Sequence, residues 1–195
     1  MLNARALSEL LTRNTDDRLC KRWFLITPNA TVLAYSHPAD VRDMRRNAAK
    51  AALLWQEHQD AQQTDPPARE DDKIAMPGLL RTLTLESEED NTIIRKLRPQ
   101  LLLVLEGGVP PRRSTFEPRV TPEGPDDAPY PAQHAPVNIA MGSSVSSAAD
   151  STKSGVFGGV LGLQRRKLDA LAAAIAQSFE QTGFKMPDEG ATKYF

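Results

Sequence analysis

Cysteine is nearly missing from this chain: Cys20 is the only one in 195 residues. A single thiol excludes an internal disulfide and a multi-cysteine zinc site, and such usage suits a reducing compartment. Aromatic residues are also scarce, 6% against 40% apolar residues in all, so the core has to be built mainly from aliphatic side chains. Neither charge dominates, with 24 Lys and Arg against 25 Asp and Glu. That balance lacks the basic surplus of a nucleic-acid binder. No run of 18 apolar residues is present, so the sequence predicts no membrane-spanning helix. The N-terminus lacks a basic-then-apolar signal, and Leu2 stands where N-myristoylation needs Gly. The expectation is no direct membrane insertion, and any membrane location reached through partners.

Recognisable catalytic chemistry is equally sparse. His37, His58 and His134 fall in a turn, near a helix end and in a proline-rich stretch. They share no ligand spacing with each other or with Cys20, so no metal is expected. Cys20 precedes Lys21 and Arg22, cations that stabilise a thiolate; the plain reading is an ordinary thiol at the start of a strand. No Ser sits in a Gly-x-Ser-x-Gly elbow. Gly155-Val-Phe-Gly-Gly-Val-Leu-Gly162 precedes a helix, where glycines can admit a phosphate. It lacks the Lys-Ser/Thr of a P-loop and the Gly-x-Gly of a dinucleotide fingerprint, and its plain reading is a flexible re-entry into the fold. The sequence therefore predicts no catalytic residue, no cofactor and no enzyme.

What is present is organised around Gln100-Leu-Leu-Leu-Val-Leu-Glu106. Five consecutive apolar residues with no position for water read as a strand buried on both faces. Helices must then cover both sides of its sheet. Met1 to Thr12 reads as a short helix with Leu7, Leu10 and Leu11 on one stripe. Arg22–Thr27 and Val32–Ser36, joined by Pro28-Asn29-Ala30-Thr31, read as a β-hairpin. A long helix follows from about Asp40, its N-cap, to Gln59. One face of it carries Met44, Ala48, Ala51, Ala52 and Trp55, small enough side chains to pack on another helix as well as on a sheet. Ala61 to Pro77 reads as a loop. In Leu79–Glu86, Leu83 and Leu85 alternate with Thr82 and Thr84, which predicts a strand with one wet or partner-covered face. Thr92–Leu97 is a further strand.

Composition changes after Glu106. Eight of the fifteen prolines lie between Gly107 and Ser154, and such a stretch reads as disordered. Only Val137-Asn-Ile-Ala-Met141 offers an apolar spot there for docking. A last helix is predicted over Leu161–Thr182, with Leu161, Leu168, Leu171, Ile175 and Phe179 buried and Gly183 as its C-terminal cap. The expectation is one α+β domain, residues 1–106 plus 155–184, with a five-stranded, mostly antiparallel sheet and helices on both faces. Residues 107–154 form an insert and 185–195 a loose tail. Arg42, Arg45, Arg46 and Lys50 give the long helix a basic side. It is ordinarily a solvated face; the functional alternatives are an acidic protein partner or, less favoured, anionic lipid. Glu86, Glu88, Glu89 and Asp90 make an acidic counterpart.

This order of elements resembles the roadblock/dynein light-chain family. Met1–Leu11, Val32-Leu-Ala-Tyr-Ser36, Ala48–Trp55, Leu101–Leu105 and Val156-Phe-Gly158 with the final helix carry the likeness. Within the family they are similar to the late endosomal adaptor subunits of lysosomal Ragulator and vacuolar EGO complexes. The chain departs from the family pattern at Asn29-Ala30, where Gly often ends the hairpin turn, and in its long insert. The resemblance implies a profilin-like roadblock domain and a non-enzymatic scaffold. Roadblock domains pair through their long helices and third strands, so it puts Met44, Ala48, Ala51, Ala52, Trp55, Thr82 and Thr84 at a partner interface. The implied partners are another roadblock subunit in a heterodimer, a lipidated membrane-anchor subunit and Rag-type GTPases. The setting would be the cytoplasmic face of the late endosome, lysosome or vacuole, in target-of-rapamycin nutrient signalling. Direct control of small-GTPase turnover, or a dynein light-chain role, is the alternative within the same resemblance.

Overall fold

The central apolar run forms β5 (Leu101–Gly108), third of six strands in a sheet of order β2-β1-β5-β4-β3-β6. The structure is a computed structural model describing residues 3–64, 80–109, 118–124 and 151–184, with backbone alone at 61–64 and 151–158. The remaining strands are β1 (Arg22–Ile26), β2 (Val32–Tyr35), β3 (Thr82–Glu86), β4 (Asp90–Arg98) and β6 (Arg119–Glu123). Every neighbouring pair is antiparallel. Helices α1 (Ala4–Arg13) and α3 (Ser151–Gln181) cover one face, and α2 (Val41–Thr64) covers the other.

Alternation along the strands sorts side chains between two cores. Leu101, Leu103 and Leu105 join Trp23, Leu25 and Ile93 against Leu7 and Leu11 of α1 and Leu168, Leu171, Ile175 and Phe179 of α3. Leu102 and Val104 join Phe24, Ile26, Leu83 and Ile94 against Ala48, Ala51, Ala52 and Trp55 of α2. A strand with period two can feed two cores only if both faces are dry, and all eight positions of β5 are buried.

Local sequence explains the helix ends. Asn3 caps α1, its Oδ1 accepting from the Ala6 N–H at 3.0 Å. Asp40 caps α2, its Oδ1 accepting from the Arg42 and Asp43 N–H groups at 2.7 and 3.4 Å. Helix α3 ends in a Schellman turn: Gly183 adopts φ +61°, the Gly183 N–H donates to the Glu180 carbonyl, and the Phe184 N–H donates to that of Phe179. Phe184 then packs on Phe179, and Arg98 Nη1 donates to the Phe184 carbonyl at 2.7 Å, tying the helix end to β4.

At its other end β5 finishes in Gly107-Gly108. A Cβ on Gly107 would lie 2.2 Å from Gln164 Nε2 and 2.6 Å from the Leu19 carbonyl oxygen; on Gly108 it would meet the Arg18 carbonyl oxygen at 2.1 Å. Only glycine admits that approach. The Gln164 side chain is fully buried there. It donates to the carbonyls of Leu19 and Gly108 at 2.9 and 2.7 Å and accepts from Asn91 Nδ2 at 3.0 Å. A buried amide with both ends satisfied joins α3, β4, β5 and the α1–β1 connection without leaving a desolvated polar atom.

Three boundaries differ from the sequence expectation. The sheet has six strands instead of five. The sixth, Arg119–Glu123, lies inside the stretch expected to be disordered, where it pairs with β3 from Glu86↔Arg119 to Thr82↔Glu123. Composition alone predicts disorder there because the strand's stability comes from its partner and not from its own propensity. Helix α2 runs on to Thr64, and α3 begins at Ser151, ten residues before its expected start. Val137–Met141 and the tail 185–195 lie outside the described residues.

The β1–β2 turn generates a prediction. Ala30 holds φ +66°, in a left-handed region that costs an L-residue with a Cβ about 1–2 kcal/mol. Ala30→Gly removes that cost but adds unfolded-state entropy of about 0.4–1 kcal/mol. The expected net result is a chain stabilised by about 0.5–1 kcal/mol, read as a higher midpoint in urea unfolding with an unchanged slope.

Candidate partner interface

Helix α2 presents two faces of different composition. Met44, Ala48, Ala51, Ala52 and Trp55 recur at three- and four-residue steps and all five are buried, with Ala48, Ala51, Ala52 and Trp55 in the core under this chain's own sheet. Their small size lets the helix backbone sit close to β1. The opposite face carries Arg42, Arg45, Arg46, Ala49, Leu53 and Gln56. Leu53 is the most exposed large apolar residue described, at 66% of its accessible area, with Arg42, Arg45 and Arg46 exposed on the preceding turns. Arg46 pairs with Asp43 at 2.8 Å, an exposed contact worth little. Gln56 Nε2 donates to the Pro28 carbonyl at 3.0 Å and fixes the helix against the β1–β2 turn.

Thr82 and Thr84 are also covered from within. Their strand is not a sheet edge, because β6 pairs along it. Their side chains lie under α3, where Arg95 Nη1 donates to Thr82 Oγ1 at 3.0 Å and Arg165 Nη2 donates to Thr84 Oγ1 at 3.1 Å. All seven residues expected at a partner interface are therefore interior residues of this chain. A stripe of small or alternating side chains states that something packs there; it does not state whether the packing element belongs to the same chain. The face of α2 that this chain leaves exposed is its Leu53 face.

Two polar groupings were not anticipated. Beneath β3 and β6, Arg95 pairs with Asp169 at 2.9 Å, and Arg165 pairs with Glu123, around a small cleft also lined by Thr82 and Leu168. The second is the Gln164 network. A sign of the latter was present in the sequence: Gln164 sits between Leu161 and Leu168 in the same inward stripe. Arg95 sits beside Ile93 and Ile94 in β4, where nothing local reveals that its guanidinium finds Thr82 and Asp169.

Burial raises the pKa of two titratable groups among the described residues. Burial pushes the Cys20 thiol up to about 11, so it is protonated at neutral pH and a poor nucleophile. Burial also raises the Glu106 carboxyl, against the attraction of Arg22, 3.0 Å away, and a hydrogen bond from Asn47. Among the described residues no group of His, Cys, Asp or Glu could hold a metal ion, and no helix is long and apolar enough to cross a membrane.

No family model matches this sequence, and neither does any curated protein. Solved structures do resemble it. MglB of Myxococcus xanthus matches with a TM-score of 0.50 at 12% identity, covering 96% of this chain and 97% of that one. A Roadblock/LC7 domain from Streptomyces avermitilis matches at TM-score 0.41 and 16% identity, over 53% of this chain and 76% of that one. The gliding protein MglB of Thermus thermophilus gives 0.41 and 16%, over 54% and 73%. The chain has the roadblock/LC7 fold, with a sixth strand added at the β3 edge.

The two faces of α2 respond differently to charge. Ala48→Glu buries an unpaired carboxylate at a cost of several kcal/mol, comparable to a whole domain's stability of about 5–15 kcal/mol. Leu53→Glu on the solvent face should stay within about 0.5 kcal/mol of the parent. Thermal unfolding of both variants checks this; an Ala48→Glu chain as stable as the parent would put that face outside the core.

Proposed function

We propose that this chain is a non-enzymatic adaptor of the roadblock type that pairs with a second roadblock-fold chain and engages a small GTPase. The observation that carries this reading is the Leu53 face of α2, an exposed apolar side chain behind three exposed arginines on a helix whose other face is consumed by its own sheet. Burying Leu53 against a partner helix stabilises a complex, while the arginines favour an acidic neighbour and set its orientation.

In its finer form the proposal is a scaffold subunit of a Ragulator- or EGO-like complex. A lipidated subunit would hold the pair at the late endosome, lysosome or vacuole, where Rag-type GTPases dock for nutrient signalling. The resemblance of Met1–Leu11, Val32–Ser36 and Ala48–Trp55 to late endosomal adaptor subunits supports this form. Direct regulation of GTPase turnover is the second reading. The exposed Arg42 and Arg45 favour it as contacts to a GTPase, although a helix face reaches a nucleotide's phosphates less readily than a loop does.

Affinity purification of the tagged chain, with mass spectrometry of stoichiometric partners, tests the proposal. The expected result is one roadblock-fold chain together with a small GTPase. Leu53→Glu, folded by the thermal test above, should weaken that pairing by about tenfold or more, equivalent to 1.4 kcal/mol. GTP hydrolysis by the recovered GTPase, unchanged by adding the pair, supports the scaffold form; accelerated hydrolysis supports the second reading. Recovery of the chain alone, with neither partner, contradicts both.

A further inference from the structure

An open sheet has two edges, and in this one they are β6 and β2. An edge strand presents unpaired N–H and C=O groups that template pairing with another chain, and charge, proline or a covering element ordinarily blunts it. Strand β6 carries Arg119, Pro122 and Glu123. Strand β2 carries no charge and no proline. Thr31-Val-Leu-Ala-Tyr-Ser36 is uncharged and β-prone, and no Lys, Arg, Asp or Glu occurs from Trp23 to Ala39. In a chain whose charged residues make up 25% of the whole, that is the composition of a self-associating segment.

What covers β2 is a helix, α1, and it does so with side-chain hydroxyls. The Ser36 N–H donates inward to the Trp23 carbonyl at 2.9 Å, so the alternation of an antiparallel ladder turns the Tyr35 and His37 N–H groups outward. The Tyr35 N–H donates to Ser8 Oγ at 3.3 Å and the His37 N–H to Thr12 Oγ1 at 3.0 Å. Ser8 and Thr12 stand about one helical turn apart, and Thr12 Oγ1 donates in turn to the Ser8 carbonyl at 2.7 Å. The helix itself is lightly held. Of its ten residues only Leu7 and Leu11 are buried. A cavity of about 90 Å³, bordered by Leu7, Leu10, Phe179 and Phe184, remains between it and the end of α3.

We infer that α1 is a clasp on the β2 edge, and that this edge, once α1 lifts from it, takes the β2 strand of a second copy of this chain. The strand's own sequence selects that occupant. Paired antiparallel with itself about Tyr35, it lets the two Tyr35 residues exchange N–H···O=C bonds and sets Ala34 opposite Ser36. One tyrosine ring then lies beside the other, with no charge to repel. Two copies joined about a two-fold axis consume both β2 edges, so the product is a closed dimer. Clasp and second copy compete for the same Tyr35 and His37 N–H groups. This inference stands on the β2 edge and α1 and is independent of the α2 face and the partner proposed above.

Removing both hydroxyls from the full-length chain tests it. Ser8→Ala/Thr12→Val strikes the clasp without altering a buried residue. In dilute solution the Tyr35 and His37 amides should exchange about tenfold faster or more. Light scattering should show the mass rising with concentration to twice that of the parent and no further. Adding Tyr35→Lys should return this variant to the monomer with exchange still fast, because two lysines then face each other across the new pair. Tyr35 is half-buried, and a lysine stem covers the same surface. Mixing that protein with its Tyr35→Glu counterpart should bring the doubled mass back. Fast exchange in a chain that stays monomeric at every concentration overturns the inference, as does unchanged exchange at Tyr35 and His37. A doubled mass that Tyr35→Lys leaves intact, or assembly running on beyond two copies, overturns it equally.

Discussion

Leu101 to Leu105 has no position from which a side chain can reach water, and the fold follows from that constraint. Burying one large aliphatic side chain is worth roughly 1.5–3 kcal/mol, so a run of five is stable only when each face of its sheet meets a separate apolar layer. Period-two alternation divides the run, Leu101, Leu103 and Leu105 to α1 and α3, Leu102 and Val104 to α2. The demand from the second group explains the composition of α2. Ala48, Ala51, Ala52 and Trp55 are the α2 side chains that meet it in this core.

Helix α3 has a wider role than packing. Its apolar stripe covers the sheet, Gln164 closes the end of β5 over Gly107 and Gly108, and Arg165 and Asp169 hold the polar side chains of β3, β4 and β6. These contacts span more than forty residues of sequence separation. A single helix thereby couples the β5 terminus to the added edge strand. The outward face of α2, on the other side of the sheet, is left independent of that coupling and open to solvent.

Much of this architecture was legible in the residues themselves. The unbroken Leu101–Leu105 run announced a two-sided strand, Asp40 and Gly183 marked helix ends, and the β1–β2 hairpin followed from its flanking aromatic and β-branched residues. The candidate interface was not legible in the same way. The Met44–Trp55 stripe is equally suited to a foreign helix and to the chain's own sheet, and only the geometry assigns it inward. Strand β6 was hidden because Arg-Val-Thr-Pro-Glu, amid prolines, has no strand signal of its own; β3 and the Arg165 contact create it. Arg95 and Thr84 look like surface residues by type and become interior because Arg95 donates to Thr82 and Thr84 accepts from Arg165.

The central claim is that both helical layers belong to this one chain, and its two tryptophans report on it together. Trp23 lies under α1 and α3, and Trp55 lies under α2, each about 1% exposed. Acrylamide quenching of tryptophan fluorescence in the isolated, partner-free chain measures both layers at once. The account predicts blue-shifted emission with one uniformly shielded population. A readily quenched fraction amounting to about half the emission would place one tryptophan in water and contradict it.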